Sequence, residues 1–285
     1  MGGPWQDDAA FAFGDLVAAG AIAEQWRRSG TFLLAGLCGP QGSGKSTTAA
    51  RLVERLGGHG LRAIVCALDD FYLTRSERGS LATKVHPLLA TRGVPGTHDL
   101  ALLGDTISAL RSATGDTTIL LPIFDKALDD RLDRSDWRVH RGPVDIVILE
   151  GWCIGARPQS AAQLAEPLNA LERDRDADGV WRRYVNEQLE TGYAPLFGTL
   201  DFNLLLQPPS FDCVLSWRAE QEAGLSRRAG ARAPMTRAEL AFFIAHYERL
   251  TRWLLLDQPA DLIVDLDMRR APYAWRLGAG SGRHA

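Results

Sequence analysis

The run Gly39-Pro40-Gln41-Gly42-Ser43-Gly44-Lys45-Ser46 constrains this chain more than any other stretch, because few backbones can present those residue types in that order. It satisfies the pattern GxxxxGK[ST] in full. An apolar, partly branched run precedes it, from Thr31 to Cys38, and a helical periodicity follows from Thr47 to Leu56 before stopping at Gly57-Gly58. The motif therefore lies between a strand and a helix. Gly39, Gly42 and Gly44 let successive N–H groups turn inward at a helix N-terminus and cradle phosphate oxygens. Gln41, Ser43 and Thr47 complete the expected phosphate-binding set, Lys45 should reach the β- and γ-phosphates, and Ser46 should ligate Mg²⁺. A glycine-rich turn that fits by chance is the competing reading. Composition argues against it, since the chain holds only three lysines and one of them falls at the required position.

With 285 residues and 46% hydrophobic side chains, one α/β core with insertions is expected. The net charge of −3 implies no basic face for a nucleic acid, so a small-molecule substrate is the expectation. Cys38, Cys66, Cys153 and Cys213 stand singly in apolar segments without CxxC spacing, and read as reduced, buried thiols. No basic-then-apolar leader opens the chain and no apolar run reaches the length of a membrane span, so a cytoplasmic protein without membrane contact is expected. Residues 278–285 read as a disordered tail.

Along the chain, Phe11 to Arg28 has helical spacing, and Arg62 to Leu68 is the short continuous apolar run of a strand buried on both faces. That strand ends in Asp69-Asp70-Phe71-Tyr72. In a doubly wound sheet the carboxyl ends of the strands converge on the ligand crevice, so an acid there faces the phosphate loop. The competing reading makes Asp69 or Asp70 a cap for the next turn. Ser76 to Asp99 reads as a long loop crossing the crevice mouth, with Arg92 and Lys84 as its cations. Arg92 either holds a substrate carboxylate through its planar guanidinium or pins the loop. Thr97 reads as the N-cap and Asp99 as the first-turn anion of a helix running to Arg111, and His98 either touches substrate or serves local capping.

Thr117 to Leu121 is β-prone, and the polar stretch after it holds Lys126 together with Asp125, Asp129, Asp130 and Arg131, which can form a surface ion-pair cluster. Val144 to Glu150 is a strand ending in an acid at the Walker B position; Glu150, at the carboxyl end, rather than Asp145, should hold Mg²⁺ or its bound water. From Ile154 to Pro209 an irregular insertion with a helical patch over 179–191 is expected, and Phe211 to Trp217 reads as the fourth core strand. Met235 to Leu256 is an amphipathic helix with Thr236 as N-cap, Glu239 completing a capping box, and Phe242, Phe243, Tyr247 and Trp253 as core residues. Asp261 to Leu266 supplies the last strand.

Four segments together carry a resemblance: the strand ending in Asp69-Asp70-Phe71-Tyr72, the stretch His86 to Asp99 with its Arg92-Gly93-Val94-Pro95-Gly96-Thr97-His98-Asp99, the Pro122 to Arg131 segment, and Leu149-Glu150-Gly151-Trp152. Over about residues 31–267 the chain resembles D-glycerate 3-kinases, which stand with uridine kinase, phosphoribulokinase and pantothenate kinase among the P-loop kinases. The resemblance implies an α/β, P-loop NTPase-type fold: a doubly wound, mostly parallel five-stranded sheet with lid and substrate-loop insertions. It implies transfer of the γ-phosphoryl group of ATP, with Mg²⁺, to a hydroxyl of a small hydroxy acid such as D-glycerate. Another acceptor (nucleoside, pantothenate or sugar phosphate) or an ATP-dependent switch stays open. Asp69 matches the family's catalytic base, Tyr72 falls at its acceptor pocket, and Asp125, Lys126 and Arg131 line that pocket. Arg218 to Arg232 resembles the lid, with Arg218 and Arg227 toward the nucleotide and Arg228 beside Lys45 in catalysis; a solvated helix face is the alternative. The implied division is a helical extension over 1–30, the kinase domain over 31–270 with its lid at about 218–235, and a tail over 271–285.

Lys45→Ala is expected to abolish phosphoryl transfer in a coupled-ADP assay while the thermal melt stays near wild type, because it removes the cation over the phosphates from a loop rather than from the core. Near-normal turnover would show that the loop is not a phosphate site.

Overall fold

The computed structural model describes residues 8–226 and 235–280. Its strands are β1 (Leu33–Cys38), β2 (Ala63–Ala67), β3 (Thr118–Leu121), β4 (Phe124–Asp125), β5 (Asp130–Arg131), β6 (Arg138–Arg141), β7 (Ile146–Gly151), β8 (Phe202–Gln207), β9 (Leu262–Leu266) and β10 (Pro272–Leu277). The helices are α1 (Asp8–Ser29), α2 (Lys45–Gly58), α3 (Arg75–Lys84), α4 (Leu100–Arg111), the short α5 (Ala161–Leu164), α6 (Ala170–Arg175), α7 (Val180–Gln188), the short α8 (Ala194–Phe197), α9 (Asp212–Ser226) and α10 (Arg237–Asp257).

Six strands form the central sheet in the order β10-β9-β8-β1-β7-β2, parallel except for β10. All six residues of β1 are buried because both faces of the sheet are covered, and the period of two along a strand sends alternate residues to opposite sides. Leu33, Ala35 and Leu37 belong to one apolar cluster with Ile22 of α1, Leu52 and Leu56 of α2, and Trp217 of α9. Leu34 and Cys38 belong to the other, with Leu103 and Ile107 of α4 and Tyr247, Leu250 and Leu254 of α10. The strand order reverses at β1, between β7 and β8, which is where a doubly wound sheet opens its crevice.

The expected parallel arrangement holds, with two differences. The fourth parallel strand is Phe202–Gln207 rather than Phe211 to Trp217. The latter segment opens α9, because Cys213, Val214 and Trp217 are buried while Asp212 and Ser216 are exposed, a helical and not an alternating pattern. A sixth strand, β10, lies in the expected tail; there Tyr273, Trp275 and Leu277 alternate outward along an antiparallel edge. Residues 281–285 of that tail lie outside the described residues.

Ser76 to Asp99 is more ordered than a loop. Thr74 accepts a hydrogen bond from the Glu77 N–H, and Glu77 accepts one back from the Thr74 N–H, so a capping box starts α3. The N-cap of α4 is Asp99, whose carboxylate accepts from the Leu102 N–H at 3.0 Å, and not Thr97. Thr97 instead closes its own turn, its hydroxyl donating to the Val94 carbonyl at 2.7 Å. In α10 the Thr236 and Glu239 box is present and Tyr247 is buried, whereas Phe242 is 47% exposed. β3 pairs with β6, and β4 with β5, as two small hairpins outside the sheet. No described helix is long and apolar enough to cross a membrane.

Buried charge fastens the insertion between β7 and β8 to the core. Glu172 of α6 is fully buried and receives both Nε and Nη2 of Arg249 of α10, at 2.7 and 2.6 Å. Arg249→Met should therefore lower unfolding free energy by about 3–5 kcal/mol in a urea titration, since it strands a buried carboxylate. A loss within about 0.5 kcal/mol would place the insertion's anchorage elsewhere.

Candidate active site

The chain leaves the carboxyl end of β1 as the phosphate loop. Gly42 and Gly44 hold positive φ of 77° and 90°, and Gly44 is the residue that caps α2. The loop is fastened from outside. Trp217 packs where a Cβ on Gly42 would lie, and Arg270 Nε donates to the Gly42 carbonyl at 2.6 Å while its Nη2 reaches Glu220 at 2.7 Å. Ser43 Oγ and Gln41 Oε1 are buried with no partner among the described residues, the condition of groups that meet a ligand. Lys45 Nζ folds back to the Pro40 carbonyl at 3.2 Å. Thr47 is exposed in the first turn of α2.

Pairing of β1 with β7 sets Leu37 opposite Glu150, which brings the end of β7 beside the loop. Ser46 Oγ donates to Glu150 Oε1 at 2.6 Å. A hydroxyl and a carboxylate side by side are hard oxygen donors of the kind Mg²⁺ takes when phosphates and water supply the rest of its shell.

Across the crevice, β2 ends in a 3₁₀ turn, Leu68–Phe71, that presents Asp69. Its Oδ1 accepts from the Tyr72 hydroxyl and its Oδ2 from Lys126 Nζ, both at 2.7 Å. Burial alone would push the Asp69 carboxyl up, but the Lys126 charge, the two hydrogen bonds and Lys45 outweigh it and hold the group well below the usual carboxylate range. Tyr72 and His98 form an antiparallel bridge, flanked by the Leu73 N–H on the Thr97 carbonyl at 2.9 Å and the Asp99 N–H on the Phe71 carbonyl at 2.7 Å. The two rings stack at 4.7 Å. His98 Nδ1 lies 2.6 Å from the Tyr193 hydroxyl, and its Nε2 is buried with no partner among the described residues. Burial pushes His98 down to about 4, so the ring is neutral at physiological pH. Asp70 turns the other way, accepting from the Phe124 N–H at 3.3 Å, and burial raises its carboxyl.

The remaining candidates build the frame. Arg92 pairs with Asp129 and lies over the Phe124 ring at 5.5 Å. Asp125 Oδ1 accepts from the Ala127 and Leu128 N–H groups at 2.7 and 3.1 Å, which makes it the turn-former of the β4–β5 hairpin. Arg131 reaches Asp99 at 3.0 Å. Arg218 lies over the Phe243 ring at 5.7 Å, and Arg227, Arg228 and Arg232 fall outside the described residues. Several contacts of this site escape a reading of the sequence. Arg78, 1% exposed, ties the Leu73 and Ala90 carbonyls to Asp129. Trp152 Nε1 donates to the Gly93 carbonyl at 2.8 Å, and the Tyr247 hydroxyl donates to the Arg92 carbonyl at 2.8 Å.

Models of protein families give no match to this chain. Among curated relatives, the uncharacterized kinase mug58 of Schizosaccharomyces pombe is 32% identical over 235 residues, which is 79% of this chain and 82% of that protein. The chloroplastic D-glycerate 3-kinase of Arabidopsis thaliana is 29% identical over 224 residues, 75% of this chain and 46% of that protein. The solved structure of a D-glycerate 3-kinase from Cryptococcus neoformans matches with a TM-score of 0.77 and 28% identity, over 93% of this chain and 99% of that one. This chain belongs to the D-glycerate 3-kinase family of P-loop kinases. In this kinase the segments that carry the resemblance converge on one crevice, although Asp69 and Lys126, in contact at 2.7 Å, stand 57 residues apart.

Glu150→Gln should raise the Mg²⁺ concentration needed for half-maximal turnover and lower the maximal rate, because the Ser46 partner loses its charge. An unchanged Mg²⁺ titration would move the metal role to another residue.

Proposed function

We propose that this kinase transfers the γ-phosphoryl group of ATP to a primary hydroxyl of a small hydroxy acid, D-glycerate before others, giving 3-phosphoglycerate. The observation that carries the reading is Asp69: a carboxylate held ionised by Tyr72 and Lys126, with the Lys45 charge near enough to act on it. A switch that only hydrolyses ATP needs no cation beside its acid, whereas a small carboxylate acceptor does.

The N–H groups of Gly42, Gly44, Lys45 and Ser46 hold the phosphates, the Ser43 N–H closing a turn on the Pro40 carbonyl, and Lys45 exchanges the Pro40 carbonyl for phosphate oxygens. Ser46 and Glu150 would hold Mg²⁺, which supplies charge neutralisation at the transferring group when bound. Asp69 orients the acceptor hydroxyl and takes its proton as the bond from that oxygen to the γ-phosphorus forms and the bond from phosphorus to the β–γ bridging oxygen breaks. ADP leaves, and Asp69 returns the proton to solvent. Tyr72 fixes the carboxylate through its hydroxyl, and the neutral His98 offers Nε2 to the acceptor's polar groups. Lys126, whose side chain is 61% exposed, is the cation for the acceptor's carboxylate, and Arg92, 21% exposed and paired with Asp129, holds the frame.

ATP turnover measured with and without D-glycerate tests the reading, with ³¹P NMR identifying the product. Strong stimulation is expected, and hydrolysis indifferent to the acceptor would overturn it. Asp69→Asn keeps the shape but cannot take the proton, so turnover should fall roughly 10²–10⁴-fold with ATP affinity within a few-fold. Asp70→Asn should do much less. The reverse order would shift the base by one residue.

A further inference from the structure

We infer that Lys126 is a lock on the catalytic base, released only when an acceptor's carboxylate draws its ammonium away from Asp69. The inference rests on the phosphotransfer reading above. Asp69 has two oxygens and both are engaged, one by Tyr72 and one by Lys126, each at 2.7 Å. Each oxygen keeps a further acceptor site, but while the ammonium sits against Oδ2 an acceptor hydroxyl shares the carboxylate with a cation that holds its proton affinity down.

The two holders differ in what they can do. Tyr72 is 4% exposed, packed between His98 at 4.7 Å and Phe124 at 5.0 Å, and its backbone is bridged to His98, so its phenol has nowhere to go. The Lys126 side chain is 61% exposed on the turn of the β4–β5 hairpin. The backbone under it is fixed: Asp70 holds the Phe124 N–H, Asp125 holds the Ala127 and Leu128 N–H groups, and the Ile123 carbonyl accepts from the Leu132 N–H at 2.9 Å. Only the four-carbon stem of Lys126 is left to swing.

What can move it follows from charge. Taking an ammonium from a carboxylate and giving it to water or to a neutral alcohol loses a charge-assisted hydrogen bond. Giving it to a second carboxylate exchanges one such bond for another at little net cost. Once the ammonium has gone, Asp69 also loses the neighbour that does most to hold its carboxyl down, and becomes a better proton acceptor. A carboxylate adjacent to the hydroxyl is therefore required twice, for binding and for unmasking the base. Water, which carries none, leaves the lock closed and ATP intact.

The test compares wild type with Lys126→Met, using D-glycerate, and using ethylene glycol with or without formate, which together mimic the acceptor in two pieces. Thermal melts check that this exposed substitution leaves the fold alone. In the variant, kcat/KM for D-glycerate should fall about 10- to 100-fold, the loss of one charge-assisted bond. Turnover of ethylene glycol and basal ATP hydrolysis should rise several-fold, and formate should accelerate the ethylene glycol reaction in wild type and not in the variant. A variant that loses D-glycerate activity without gaining either neutral reaction, or a wild type indifferent to formate, overturns the lock and leaves Lys126 a plain carboxylate ligand. If wild type phosphorylates no D-glycerate, the phosphotransfer reading itself fails and the lock falls with it.

Discussion

The parallel pairing of β1 with β7 sets the distances on which the crevice depends. A register that puts Leu37 opposite Glu150 delivers a carboxylate to the first turn of α2 and makes the 2.6 Å contact with Ser46 a consequence of sheet geometry rather than of side-chain search. A slip of one residue would turn Glu150 to the other face of the sheet and bury a charge among the apolar residues there. The same pairing fixes β2, whose Ala67 sits opposite Glu150 on the far side of β7, so Asp69 follows two residues beyond a point already determined.

On that frame the phosphate loop is held by residues far along the chain. The Gly42 carbonyl faces outward to Arg270, and Arg270 itself has a positive φ of 70°, a conformation that side-chain-bearing residues adopt only when their surroundings require it. Trp217 Nε1 donates to the Met268 carbonyl at 2.8 Å and so joins α9 to the end of β9. The loop thus keeps its outward Gly42 carbonyl satisfied by Arg270, while the Ser43 N–H closes a turn on the Pro40 carbonyl at 3.2 Å.

How much of this the sequence discloses depends on how local the signal is. The phosphate loop, the parallel strands at β1, β2, β7 and β9, and the capping box at Thr236 are short-range patterns, and the structure bears them out. Phe211 to Trp217 misled because a short apolar run reads equally as a buried strand or a buried helix face; the Pro208-Pro209 pair just before it separates it from the true strand, β8. Thr97 and Asp99 both have capping side chains, and only the Thr97 bond to Val94 decides which of them starts α4. Asp125, Arg92 and Arg131 sit in the right neighbourhood, yet their partners within the chain, the hairpin turn, Asp129 and Asp99, are tertiary facts. Arg78, Tyr193 and Arg270 carry no pattern at all, since what marks them is a contact made across dozens or hundreds of residues.

The β4–β5 hairpin has a consequence for how acceptors of different length could be accommodated. Its tip is moored at Asp129, where two arginines from separate segments meet, and its base at Asp70, next in sequence to Asp69. Between these moorings the turn works as a ruler: its length sets how far the Lys126 ammonium stands from Asp69. Adding or removing a residue between Asp125 and Asp129 would move the Lys126 ammonium relative to Asp69 while the half of the crevice built on β1 and β7 stayed as it is. Acceptor size would then be free to drift in a lineage without any change to the phosphate loop.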